Sequence, residues 1–456
     1  MAPPPGAGPV HSFQSSPHRT LIALSLPVLF SMIAEPLTGL VDTAFVARLG
    51  ASPLAALGVG TAALSSTFWI FNFLSIGTQT EVAQALGRGD RERAKAITSL
   101  ALILSALFGL LLMAILFSGA GVVARLLGAA GQVEADAIVY IRYRLVGGPA
   151  VLLLLTAFGA LRGLQDMRTP LWIALAINGL NIGLDALLIF GWGPVPALGI
   201  AGAALASAAS QWLGAGWVLA VIGRRLGFAW RVDWSEGTQL LSVGRDLFIR
   251  TGLLTLFLLL ATRIATQAGA GSGAAYTAIR QVFIFTALFL DAFAITAQSL
   301  VGFFIGAGQI QQARRVVAIS SLWALATGCA LGLAMWLGES YVTQLLVPAE
   351  AGPAFGPAWL ISALLQPPSA LAFLTDGVHW GTGDYAFLRN ATGIATTAGG
   401  LGLALIDPLG ESTVTWIMVA TTVWVLTRAG LGLLRVWPGI GRSPFRPASE
   451  AAPQPL

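Results

Sequence analysis

The chain has 456 residues, of which 56% are hydrophobic and only 10% charged, against roughly a quarter charged in a soluble domain. Its formal charge is +5, from 25 Lys and Arg against 20 Asp and Glu; with no nucleic-acid module in the sequence, that excess fits the loop asymmetry of a membrane protein and no nucleic-acid partner. One cysteine, Cys329, and three scattered histidines, His11, His18 and His379, exclude a disulfide framework and Cys- or His-based metal chemistry.

Residues 1–20, rich in Pro, Gly and Ser, read as a disordered tail. Apolar runs of the length that crosses a bilayer, roughly 20 residues, then recur as twelve predicted spans: 21–48, 58–85, 96–118, 137–160, 170–191, 197–222, 244–268, 277–304, 316–337, 357–381, 388–406 and 413–433. This predicts an all-helical integral membrane protein with both termini on one side. Basic residues follow the even-numbered spans: Arg88, Arg91, Arg93 and Lys95; Arg162 and Arg168; Arg224, Arg225, Arg231 and Arg245; Arg314 and Arg315; Arg389; and Arg435, Arg442 and Arg446. The opposite loops carry Glu339, Glu350, Asp407 and Glu411. By the positive-inside rule, both termini are expected in the cytoplasm of a multi-pass cell (inner) membrane protein.

Residues 223–243 form the longest hydrophilic connection and read as a cytoplasmic linker between lobes at 21–222 and 244–433, with a cytoplasmic tail at 434–456. Internal similarity supports the division. Gly87, Gly89 and Ala94 match Gly306, Gly308 and Ala313, and Gly159, Gly163 and Asp166 match Gly377, Gly381 and Asp384 at nearly the same spacing. Two six-helix repeats that enter from the same side should be related by a pseudo-two-fold axis along the membrane normal, a transporter architecture that works by alternating access.

Acids inside spans are costly and therefore point to function. Asp42 lies within span one and has Ala261 opposite it in the second repeat; its bland reading, a carboxylate reaching the interface beside Arg48, suffers because the two are six apart, off the helical three-or-four spacing. In span five, Asn181 and Asp185 share a face, with Asn178 one turn before them. Such a group can exchange a proton or hold a small cation such as Na⁺ together with Asp42; the alternative is polar glue between helices. Tyr140 in span four could complete the cluster, and Glu35 shares the Asp42 face. Asp291 and Asp376 are second-repeat candidates for substrate contact, while Pro27 and Pro36 interrupt span one as simple curvature or a hinge.

The stretch EPLTGLVDTAFVARLG, the paired loops ALGRGDRERA and FIGAGQIQQA, and NGLNIGLD resemble the multidrug and toxic compound extrusion (MATE) transporters, nearest to the DNA-damage-inducible F (DinF) branch. The resemblance covers about residues 20 to 435. It implies an antiporter that exports small lipophilic or cationic compounds against H⁺ or Na⁺ and has no other cofactor; a monomer is expected, and the lack of HExxH, GxSxG or a Cys/His constellation argues against an enzyme. It places the first-helix acid on Asp42, the fifth-helix pair on Asn181 and Asp185, the fourth-helix Tyr on Tyr140 and the bending proline on Pro27. NorM-type members carry further acids in spans seven and ten; here FIRTGLLTLFLLL has none and QPPSALAF offers Ser369, which speaks against a second-lobe Na⁺ site of that type and favours coupling in the first lobe, with H⁺ the expected ion. The rival expectation is a flippase for lipid-linked oligosaccharide or lipid, for which Arg250, Arg263 and Arg280 speak.

Overall fold

The computed structural model describes residues 11–229, 234–410 and 412–446; the outer parts of both predicted tails, and Arg231 and Glu411, lie outside the described residues. Long apolar runs favour helices at bilayer depth because only a helix satisfies its own backbone polar groups without water. The first repeat consists of α1 (Ser12–Ser15), α2 (Pro17–Ala47), α3 (Ala51–Ile70), α4 (Asn72–Gly87), α5 (Arg91–Leu126), α6 (Gly131–Leu145), α7 (Gly148–Gly163), α8 (Arg168–Phe190) and α9 (Ile200–Arg225). The second contains α10 (Trp234–Gln267), α11 (Ala270–Gly306), α12 (Ile310–Leu337), α13 (Glu339–Leu346), α14 (Gly352–Leu364), α15 (Gln366–Thr382), α16 (Tyr385–Ala404) and α17 (Thr413–Val436).

Among the described residues, nine spans are long and apolar enough to cross a bilayer, and the pairs α6–α7 and α14–α15 each pass that test together with a 50° bend. The less apolar α16, with Arg389 its one charged residue, completes the series of twelve predicted spans. Spans four and ten are thus broken helices, where the sequence suggests single ones. Gly147, Gly148 and Pro149 mark the first break, and Gln366 followed by Pro367 and Pro368 marks the second; proline cannot donate the backbone bond that would carry the helix through.

Packing follows membrane logic, with small residues inward and large apolar ones outward. On α5, Ala101, Ser105 and Gly109 are buried while Leu107, Leu111 and Ile115 are exposed. The two repeats also share two close helix–helix approaches. A Cβ at Gly159 would lie 2.4 Å from the Ser75 carbonyl oxygen, and one at Gly377 would lie 2.1 Å from that of Ala294. Likewise, a Cβ at Gly163 would lie 2.7 Å from the Gln79 carbonyl oxygen and one at Gly381 2.5 Å from that of Gln298. These are repeat-equivalent pairs, so the sequence repeat is also a repeat of helix contacts within each half.

The chain divides into two compact units, residues 27–244 and residues 1–26 with 245–456. Both junctions fall inside helices, at Pro27 in α2 and after Gly244 in α10, at repeat-equivalent places. The second junction lies next to the lobe boundary expected at 244, whereas the first lies at Pro27 and not at the expected 21. The beginning of α2 belongs to the second unit because Phe13 and Leu21 are buried in its core and Ser25 Oγ donates to Thr296 Oγ1 at 3.1 Å. From Ser12 the expected disordered tail is helical, and from Trp234 the expected linker is the first part of α10. The near end of the C-terminal tail also folds: Phe445 is fully buried, and Arg435 donates to Asp384 Oδ2 at 2.8 Å and to the Arg442 carbonyl at 2.8 Å.

Candidate functional site

Within the unit of residues 27–244, Asn181 and Asp185 stand one turn apart on α8, and both are buried. In the amide orientation that satisfies both ends, Asn181 Nδ2 donates to Asp42 Oδ1 at 3.2 Å, and its oxygen accepts from Ser207 N at 3.2 Å and Ser207 Oγ at 3.3 Å. Asn181 therefore joins α2, α8 and α9 through one amide. Asp185 is fully buried, and neither carboxyl oxygen has a donor partner among the described residues. It faces the carboxyl of Asp42. Two carboxyl groups can hydrogen-bond only when one carries a proton, since ionised carboxylates accept and do not donate. The arrangement thus has a place for one proton, or for a cation between the acids.

Tyr140 on α6 is buried, with its ring against Gly60 of α3. A Cβ at residue 60 would sit 2.3 Å from Tyr140 Cδ1, so glycine there is what admits the ring. One turn further along α6, Arg144 meets the Tyr140 hydroxyl, and its charge acts on Asp42 and Asp185 alike. Arg144 Nη1 also donates to Gln211 Oε1 on α9 at 2.5 Å. Gly147, at the α6–α7 break, lets α9 close in, since a Cβ there would lie 2.9 Å from Ala208 Cα.

The structure therefore brings together Asp42, Asn181, Asp185 and Tyr140. Sequence reasoning missed Arg144, Gln211, Ser207 and Gly60. Arg144 had a readable signal, an arginine inside a predicted span and four residues from Tyr140. The remaining first-repeat candidates stay apart: Glu35 is exposed on α2, Asn178 is half-buried one turn before Asn181, and neither has a hydrogen-bond or ion-pair partner among the described residues. Pro27 and Pro36 both lie inside the continuous α2.

In the other unit, Asp376, expected as a substrate contact, has its carboxylate occupied. Asp376 Oδ2 accepts from Arg250 Nη2 and, at 2.6 Å, from Arg428 Nη2. The Arg250 guanidinium lies over the Trp380 ring at 5.3 Å, and that of Arg428 over Trp424 at 4.8 Å. Asp291 lies within electrostatic reach of all three charged groups. The quartet balances two cations with two acids. Arg263 and Arg280 are exposed and take no part in it.

A helical membrane protein built from two six-span repeats, with a pair of acids that form no ion pair among the described residues facing each other inside the first, is a secondary transporter in build. The MatE family model matches residues 27–187, the part that carries Asp42, Tyr140, Asn181 and Asp185. The chain is 30% identical over 399 residues to protein DETOXIFICATION 44, chloroplastic, of Arabidopsis thaliana, covering 84% of this chain and 74% of that protein. It is 28% identical to DNA damage-inducible protein F of Escherichia coli over 93% of each. Its fold matches the bent form of the Vibrio cholerae MATE transporter VcmN with a TM-score of 0.84, at 20% identity, over 94% of this chain and 98% of that one. The chain belongs to the MATE family of multidrug and toxic compound efflux transporters, and it is a multi-pass membrane protein.

Proposed function

We propose that the protein is a monomeric, proton-coupled antiporter that exports small lipophilic or cationic compounds, with both termini in the cytoplasm and the proton taken up at Asp42 and Asp185. The observation that carries this reading is that these two carboxyls face each other, Asp185 fully buried and Asp42 half-buried, and that neither forms an ion pair among the described residues. Like charges brought together away from water are costly, and a proton shared between them relieves that cost. When the site is empty of protons, a lipophilic cation can supply the missing positive charge; when a proton arrives, that attraction is lost and the compound is released. Asn181 transmits the change, because the acceptor it faces on Asp42 changes its hydrogen-bonding character while Ser207 holds the other end of the amide. Movement of α2 at Pro27, where the helix passes from one compact unit to the other, would turn protonation into alternating access.

Na⁺ is the competing occupant, with oxygen ligands from Asp42 and Asp185, and from Asn181 only if its amide turned over so that the oxygen left Ser207. Efflux from proteoliposomes with a pH gradient and a Na⁺ gradient imposed separately distinguishes the two: proton coupling requires transport under the pH gradient alone and its loss in Asp42→Asn and Asp185→Asn. Full proton-driven efflux by Asp42→Asn would sink the proposal. Of the three arginines that speak for the flippase reading, Arg250 is paired with Asp376, while Arg263 and Arg280 are exposed.

A further inference from the structure

Between α8 and α9, on the surface of the unit of residues 27–244, lies a cavity of about 690 Å³. Its walls are Trp172 and Leu175 from α8 and Trp217 and Val221 from α9, and Arg224 and Arg225 close one end. Trp172 is 63% exposed and Trp217 46%. Both tryptophans belong to predicted spans, so the trough opens at membrane depth, and an apolar trough there is filled by hydrocarbon.

The charged end adds selectivity. Arg225 is already engaged, with Asp166 Oδ2 at 2.5 Å and Thr169 Oγ1 at 3.4 Å, and its carbonyl accepts from Arg91. The nearby acid is thereby consumed. Arg224 is exposed and has no hydrogen-bond or ion-pair partner among the described residues. A guanidinium presents a planar fork of donors that suits phosphate. Arginines at a helix C-terminus favour the dipole wherever they point, and tryptophans favour the interface on any face. Neither tendency accounts for both aromatic rings and the free arginine bordering one trough.

We propose that this trough binds one anionic phospholipid, with its phosphate on Arg224 and an acyl chain laid between Trp172 and Trp217. The site is separate from the Asp42–Asp185 pair, so its test stands whether or not proton coupling does. A free phosphate would leave the apolar walls unfilled, and a neutral lipid would not need the unpaired charge.

The test is native mass spectrometry of the full chain extracted from vesicles of equal phosphatidylglycerol and phosphatidylcholine. Wild type is expected to retain phosphatidylglycerol about fivefold over phosphatidylcholine, the effect of roughly 1 kcal/mol for one cation at the surface. Arg224→Gln should abolish that preference and Arg224→Lys should keep most of it, while Trp217→Ala should lower retention of both lipids. Thermal melting in detergent shows that each variant is folded. Equal retention of the two lipids by wild type, or an unchanged preference in folded Arg224→Gln, overturns the proposal. So does displacement of phosphatidylglycerol by millimolar inorganic phosphate, which would make this an anion site, or a dimer in light scattering that Trp217→Ala dissociates, which would make the trough a contact between copies.

Discussion

The Asn181 side-chain nitrogen lies 3.2 Å from Asp42 Oδ1, so the acid of α2 is held by α8 and, through Ser207, by α9. Replacing Asn181 with Leu keeps the volume and removes the amide, leaving Ser207 N and Asp42 without that partner. A stranded buried polar group costs about 1–3 kcal/mol. We expect Asn181→Leu to lower proton-driven efflux roughly tenfold while the protein stays folded. Efflux from proteoliposomes, paired with melting in detergent, checks this. In a double-mutant cycle, Asn181→Leu and Asp42→Asn should be strongly non-additive, since each removes the same contact; additive effects would separate the two residues functionally.

Gly60 tests how Tyr140 is held. The alanine Cβ would clash with the ring at 2.3 Å, and such overpacking costs about 1–3 kcal/mol. Gly60→Ala should lower both the melting temperature and the transport rate, and Tyr140→Leu in the same background should restore much of the stability without the transport. If Gly60→Ala melts and transports like wild type, the ring has room that the geometry denies it.

Asp376 should behave differently from the first-repeat acids. It bridges Arg250 and Arg428 in a buried site, and removing one partner of a buried ion pair costs about 3–5 kcal/mol because it leaves uncompensated charge. Asp376→Asn is expected to reduce folded yield and melting temperature sharply, whereas Asp42→Asn should alter transport with little change in either. Equal stability of the two variants, measured by thermal melting, would contradict the separation of roles.

What the sequence made legible follows from how unusual each residue is against its background. Asp42, Asn181 and Asp185 stand out because a carboxylate in an apolar helix has no inexpensive explanation, and the four-residue spacing of the α8 pair places them on one face. The repeat was legible because Gly159 and Gly377 sit where two helices touch, and neither tolerates a side chain. Partnerships between distant residues were less visible. Asp376 looked like Asp42 in sequence, and only the fold shows that Arg250 and Arg428 converge on it. The first unit boundary was missed because hydropathy is blind to a continuous helix that changes neighbours, as α2 does at Pro27.

Arg144 supplies the sharpest test of the carboxyl pair. It is the fixed cation acting on both Asp42 of α2 and Asp185 of α8, beside the Tyr140 hydroxyl on its own helix α6. A neighbouring cation favours the ionised form of a carboxyl group, so removing it lets the pair keep a shared proton to higher pH. Arg144→Gln should therefore move the midpoint of the transport-versus-pH profile upward by roughly 1 unit, the usual scale for one close charge, and Arg144→Lys should return it toward wild type. The profile is read from initial efflux rates in proteoliposomes across a pH series at fixed gradient. A midpoint that stays in place in folded Arg144→Gln, or moves down, would mean that Asp42 and Asp185 are not the groups whose protonation limits transport.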